Sequence, residues 1–387
     1  MNILLLSPYF PPNYYQFAAA LRRNGATVLG LGDMPYDELA PELKDALQEY
    51  YHVADLHHYD QLIRACGYFT HQYGKLDRIE SHNEYWLMTD AALRTDFNVT
   101  GPKSNAIEWV KRKSKMKRIF EQAGIEVAPG QVVRDLASAR AFIDAVGYPV
   151  VAKPDIGVGA AATYKIHDDA ALQRFFEDKP GIDYIMEAFV SGALYSFDGL
   201  TDKEGNIVFC TSHFFSQGIM ETVNEALDMF YYSLRTFPPG LEEVGRKAVE
   251  AFNLRERFFH IEFFQKEEGR WIALEVNMRP PGGLTMDMFN YANDTDLYQE
   301  WANVVTSNRF LAKYTRPYHC AYVGRKHHRP HTLSHADILA QYDAYLAYHA
   351  PIDPVLAPAI GEYGYLVRSP DLAELRGIID EMLALAE

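Results

Sequence analysis

"RWIALEVNMRPPGG", residues 270–283, is the stretch on which the reading of this chain turns. Successive side chains of a β-strand point to opposite faces. On that alternation Ile272, Leu274, Val276 and Met278 form an ordinary core face. Glu275, Asn277 and Arg279 line the other face before the chain turns on Pro-Pro-Gly-Gly. The preceding "FFHIEFFQKEEG" completes a hairpin, because two apolar-rich runs flank a charged turn containing glycine. A two-residue turn at Glu268-Gly269 sets Glu267 opposite Arg270, and counting outward brings Glu262 opposite Glu275 and His260 opposite Asn277. Two carboxylates about 5 Å apart at Cβ repel unless a cation lies between them. Two acids and an amide oxygen, with no cysteine beside them, suit a hard, oxygen-preferring ion such as Mg²⁺. The plain alternative is a solvated face with both glutamates splayed into water. The added Asn, Arg and PPGG turn weigh toward a site.

The bulk properties narrow the classes. With 387 residues, 48% hydrophobic and 23% charged, the composition is that of a soluble globular protein with room for several domains. The net charge of −15 argues against nucleic acid or an anionic membrane as a partner, since both need a basic footprint. Cys66, Cys210 and Cys320 lie far apart and form no CxxC, so neither a disulfide framework nor a zinc site is implied. "MNILLLSPYFPP" lacks a basic n-region, and its apolar run is too short for a signal peptide. No stretch approaches the ~20 apolar residues of a membrane helix. A cytoplasmic protein is the expectation.

"MNILLLSP" and "ATVLGLGD" read as strands around a helix in "YYQFAAALRRNG", with Asn13 as its cap and Gly25 as its end. That is a βαβ unit, so the first hundred or so residues look doubly wound. The turn "SPYFPPN" has no glycine and cannot be the phosphate cradle of a dinucleotide fold; a rigid connection is the simpler reading. The stretch after Glu80 reads as helical, and Ser104 is positioned to cap the next helix. That helix carries "KRKSKMKR", for which a solvated face stays open. A helix at Leu136 to Val146 precedes "PVVAKPDIGVGAAAT". Hairpins then dominate to about residue 310, and Ser334 and Ser369 look like helix N-caps. Gly157-Val-Gly159 opens a GxGxxA pattern, but a strand follows it rather than a helix, and Lys153 precedes the glycines as no P-loop lysine does. What remains is a lysine ending a buried strand, then a small-residue turn that either serves packing or brings backbone N–H groups to phosphates.

A basic helix ending in "AG", then "VAKP" with a glycine-containing flap, "MEAFVSG", "HIEF" and "LEVNMRPPGG" together resemble the ATP-grasp superfamily, carboxylate–amine ligase-like and similar to the carbamoyl-phosphate synthase large chain. The order matches over roughly residues 104 to 290. The resemblance implies an α/β and α+β protein with the ATP-grasp fold. Residues 1–103 would be a doubly wound pre-ATP-grasp βαβ domain, 104–186 the small subdomain, 187–310 the catalytic subdomain and 311–387 a C-terminal α+β tail. It further implies that Lys113 and Lys153 contact the α- and β-phosphates of ATP under the flap of Gly157 and Gly159. Glu187 and backbone groups of Phe189 would hold the adenine. Glu262, Glu275 and Asn277 would bind Mg²⁺, or Mn²⁺ in its place, and Arg279 would stabilise the transferring phosphoryl group. The reaction implied is activation of a substrate carboxylate as an acyl-phosphate, attacked by an amine or a thiol, with release of ADP and phosphate. Bicarbonate activation, as in carbamoyl-phosphate synthase or biotin carboxylase, is the alternative within the fold; a non-catalytic nucleotide-binding module is the alternative outside catalysis. The partners are ATP and small-molecule acid and amine, with no nucleic acid and no membrane, and a homodimer is an admissible assembly. Two departures concern nucleotide affinity: Leu194 stands where relatives often carry an acid for the ribose hydroxyls, and the flap is poor in glycine and serine. "VGRKHHRPHTLSH" reads as a solvated loop or an anionic-substrate surface rather than a metal tract.

Overall fold

The computed structural model describes residues 1–157 and 162–386. Its first sheet is parallel and contains β1 (Asn2–Leu6), β2 (Thr27–Gly32), β3 (Glu49–His52) and β4 (Arg78–Glu80), in the order β3-β2-β1-β4. The expected βαβ unit is present, with helix Tyr15–Arg23 between β1 and β2. Asn13 does not cap that helix. Its amide instead reaches a segment some 270 positions away, donating to the Gly283 carbonyl at 3.2 Å and to Asp287 at 2.6 Å. β4 falls in a stretch whose sequence reads as strand-poor, because Arg78 and Glu80 are buried polar residues rather than apolar ones. They are tolerated because Arg78 pairs with Glu80, which also meets Arg94.

The second sheet is antiparallel: β5 (Gly130–Val133), β6 (Val150–Pro154), β7 (Tyr164–Ile166) and β8 (Tyr184–Ala188), in the order β5-β8-β6-β7. Helix Leu136–Val146 packs on it where the pattern placed it, started by a capping box of Asp135 and Ser138. The basic stretch is not one helix. Arg112, at φ −90° and ψ 116°, separates helix Ser104–Lys111 from helix Lys113–Gln122. Ser104 is the first helical residue rather than the cap, and Lys103 holds the cap position. The solvated-face reading fails for half of the run, since Lys111, Lys113 and Lys117 are buried.

The third sheet comprises β9 (Ala193–Thr201), β10 (Ile207–Phe215), β11 (Met229–Ser233), β12 (Phe258–Gln265), β13 (Trp271–Asn277), β14 (His319–Arg325), β15 (Leu346–Pro351) and β16 (Tyr363–Ser369). Its order is β13-β12-β9-β10-β11-β14-β16-β15, so the segment after residue 310 completes this sheet with three strands. Ser334 caps helix His335–Gln341 as expected. Helix Leu372–Leu383 is capped by Asp371, not Ser369. Within the histidine-rich stretch, His331 is not a solvated residue; its side chain is 4% exposed and Nε2 lies 2.9 Å from Asp228. Among the described residues no helix is long and apolar enough to cross a membrane.

The β12–β13 hairpin departs from the expected count in one instructive way. The turn is three residues, Glu267–Gly269, closed by the Lys266 N–H to the Arg270 carbonyl, so it is one residue longer than expected. A β-bulge cancels the error: Phe263 pairs with Ala273 but Glu262 pairs with Glu275, leaving Leu274 unopposed. Beyond the bulge the register is the expected one, with His260 opposite Asn277. Before it the faces are exchanged, so Trp271 and Ala273 join the core with Val276 and Met278. Ile272 and Leu274, read from the alternation as core, line a cavity instead.

Candidate active site

That cavity, of about 590 Å³, lies between the second and third sheets and is lined by Lys113, Lys153, Gly157, Glu187, Phe189, Glu262 and Glu275 among others. Asn277 adjoins it, donating to Glu275 Oε1 at 3.3 Å. Arg279 lies outside its lining and is held at 3.3 Å by Glu84, from the loop after β4. Gly159 lies outside the described residues.

The two phosphate-type lysines come from separate elements joined by one acid. Lys153 sits at the end of β6, and Asp155 follows it. Asp155 accepts from the Ser114 N–H at 2.8 Å, from the Ser114 hydroxyl at 2.9 Å and from Arg112 at 3.1 Å, while its carbonyl accepts from the Lys113 N–H at 2.9 Å. A carboxylate at the amino end of a helix satisfies orphan N–H groups and complements the macrodipole. Asp155 therefore ties the start of helix Lys113–Gln122 to β6. The sequence reading missed this residue, because the cap acts across elements rather than along the chain.

It also missed Lys117. One turn beyond Lys113, this ammonium lies 2.7 Å from Glu187, whose other oxygen is 2.6 Å from Lys153. Its recognisable signal is the i, i+4 spacing from Lys113, which shares a helix face. Burial alone would raise the Glu187 carboxyl, but the Lys153 and Lys117 charges outweigh it and hold the group at about 2. Burial pushes Lys117 down, whereas at Lys153 Glu187 and Glu275 overcome burial and push it up. Phe189, two residues further, has the Lys165 ammonium 3.8 Å from its ring centroid.

The cavity floor is the face of the large sheet, and it is divided by polarity. Leu194 on β9 pairs with Phe215 on β10 and Phe264 on β12, and with Ile272 and Leu274 these form an apolar end. Two residues along the strands the same sheet face becomes polar: Glu262 lines the cavity, and Ser196, His213, Asp198 and His260 continue the face beyond its lining. Glu262 and Glu275 stand opposite each other there. Burial raises Glu275, but Lys113, 3.8 Å away, and Lys153 bring its carboxyl below the ordinary value. Buried Asp198 bonds His260 Nδ1, accepts from Ser196 at 2.5 Å and meets His213 Nδ1 at 2.8 Å. Burial lowers His260, but Asp198 and Glu262 outweigh it and raise it to about 10; its Nε2 lies 3.2 Å from Glu262 Oε1.

Among the described residues no group of three or more His, Cys, Asp or Glu side chains is placed to hold a metal ion alone. Two facing carboxylates and an amide fit a different requirement. Mg²⁺ is commonly held by one or two carboxylates, with substrate phosphates and water supplying the remaining ligands. Lysines grouped beside those carboxylates suit an anionic ligand that shares the ion.

Residues 146–287 match the model of the ATP-grasp domain, so the chain carries an ATP-grasp domain containing Lys153, Glu187, Glu262, Glu275, Asn277 and Arg279. Its overall fold is shared with L-amino acid ligase from Bacillus licheniformis, with a TM-score of 0.77 at 14% identity over 100% of this chain and 98% of that one. The L-arginine-specific L-amino acid ligase of Bacillus subtilis is 24% identical over 247 residues, which is 60% of this chain and 58% of that protein. The chloroplastic arginine-specific large chain of carbamoyl phosphate synthase from Arabidopsis thaliana is 28% identical over 133 residues, 33% of this chain and 11% of that one. The match thus spans 58% and 11% of these two relatives' own lengths.

Proposed function

We propose that the chain is an ATP- and Mg²⁺-dependent, ADP-forming ligase that joins a carboxylate to an amine. The observation that carries the reading is the facing pair of Glu262 and Glu275 in one cavity with Lys113 and Lys153. Facing carboxylates in a buried cleft are costly on their own; Lys113, Lys153 and His260 offset part of that charge, and a shared divalent ion would offset the rest.

ATP lies with its base in the apolar end of the cleft and its phosphates at the polar end. The carboxylate of Glu187 is occupied by Lys117 and Lys153, so the base meets the backbone edge of residues 187 to 189, while the Glu187 side chain sets the lysines for the α- and β-phosphates. Glu262, Glu275 and Asn277 hold Mg²⁺, which when bound neutralises phosphate charge. A carboxylate oxygen of the acid substrate attacks the γ-phosphorus, the bond to the bridging oxygen breaks, and its electron pair leaves on ADP. Arg279 binds the equatorial oxygens as charge moves onto them. The amine then attacks the acyl carbon, phosphate departs and the nitrogen loses a proton. The similarity to L-amino acid ligases makes amino acids the first acids and amines to try.

The test is release of ADP and phosphate over a matrix of amino-acid pairs. With the productive acid, ATP and hydroxylamine but no amine, a hydroxamate and ADP are expected. Formation of AMP and pyrophosphate would replace this mechanism with adenylation.

A further inference from the structure

The predicted phosphoryl-binding arginine is set by another domain. Arg279 donates through Nε to Glu84 Oε2 at 3.3 Å and through Nη1 to the Pro280 carbonyl at 2.9 Å, leaving Nη2 without a protein partner among the described residues. Glu84 lies in the loop between β4 and helix Leu87–Asp96 and is 7% exposed. Its other oxygen and its carbonyl bind the Lys111 ammonium at 2.6 and 2.9 Å. Lys111 in turn closes the helix that ends just before Lys113. The neighbouring turn is fixed from the same side, with the Tyr14 hydroxyl donating to the Pro281 carbonyl at 2.7 Å.

We propose that Glu84 is the positioning residue for Arg279: it locks one edge of the guanidinium so that Nη2 is presented to the transferring phosphoryl group, and through Lys111 it keeps that edge in register with the Lys113 helix. One carboxylate facing two cations leaves a net positive charge, which suits the anionic oxygens of a transferring phosphoryl group. This rests on the role proposed above for Arg279.

The experiment measures MgADP affinity by calorimetry with and without tetrafluoroaluminate, a mimic of the transferring phosphoryl, so no acid or amine is needed. Glu84→Ala strands the buried Lys111 ammonium and can unfold the chain, so the Glu84→Met, Lys111→Met double variant is measured beside it, with thermal unfolding as the fold control. The double variant is expected to bind MgADP within about twofold of wild type and to lose about tenfold or more of the tightening by fluoride, the scale of one charged hydrogen bond. Arg279→Met is expected to lose the same tightening, and combining the changes is expected to add nothing further. Full tightening in the double variant with loss in Arg279→Met overturns the positioning role alone. Equal loss of MgADP affinity with and without fluoride makes Glu84 merely structural and overturns it as well. Full tightening in Arg279→Met overturns the role of the arginine itself.

Discussion

Glu275 is paired with an opposing acid, two lysines and an amide at once, so its charge is what the arrangement is built around. Glu275→Gln keeps the shape and removes that charge. MgATP turnover is expected to fall by roughly 10²-fold or more, the scale of one lost electrostatic stabiliser. Wild-type turnover in that variant would remove the metal assignment. At the other end of the cleft, Leu194 is 5% exposed and offers no acceptor to a ribose hydroxyl. A charged acceptor there would contribute on the order of 1.5–3 kcal/mol. Without it, kcat/KM for 2′-deoxy-ATP is expected within a few-fold of that for ATP, a difference of roughly 1 kcal/mol at most. A paired kinetic comparison decides; a preference for ATP of about 10²-fold would mean another residue reads the ribose.

Among elements, the junction of β6 and helix Lys113–Gln122 governs the phosphate end of the cleft. Both carry a lysine toward it, and Asp155 is the acid that joins them. Asp155→Ala frees the helix start, a change expected to cost about 1–2 kcal/mol of stability by analogy with the loss of an N-cap. MgADP affinity is expected to weaken with it, because Lys113 and Lys153 lose their common reference. Denaturant midpoints and calorimetry measure both effects; unchanged affinity would show that the two elements position their lysines independently. The β12–β13 hairpin shows how much local sequence can carry. The pairing of Glu262 with Glu275 agrees with the counted register only because two departures cancel: the turn is one residue longer, and the bulge at Leu274 restores the register. The bulge turns Trp271 and Ala273 into the core and leaves Ile272 and Leu274 on the cavity.

For the molecule as a whole, the seam between the parallel first sheet and the large sheet is held by buried charge. Glu80 of β4 accepts from Arg78 at 3.1 Å, pairs with Arg94 at 2.8 Å and reaches Arg257, next to β12, at 3.5 Å. Burial raises its carboxyl, but Arg94, Arg257 and Arg78 prevail and lower it from the ordinary 4.5 to about 2. A depressed carboxyl stabilises the fold at pH values above its unfolded value, and that stability is lost as pH falls toward the folded one. The contribution is on the order of 3 kcal/mol. Glu80→Gln is therefore expected to be strongly destabilised near neutral pH, with the gap to wild type narrowing from about pH 5 down to about pH 3. Urea midpoints across that range check it; a gap independent of pH would mean that the seam rests on packing alone.

The sequence by itself determined the opening βαβ unit, the hairpins of the large sheet and the helix at Leu136–Val146, because periodicity and turn chemistry act over neighbouring residues. It also determined that Glu275 and Asn277 share a face, by alternation, whereas the partner Glu262 came out right only because the bulge at Leu274 offset the longer turn. Only the tertiary structure decided what those groups touch. Lys117 and Asp155 entered the site, Asn13 turned from its helix to bind Asp287, and Glu84 reached Arg279 from 195 positions away. The reason is physical: a buried charge is tolerated only where an opposite charge or a hydrogen bond meets it. Which distant residue supplies that partner depends on how the sheets pack, not on any local pattern.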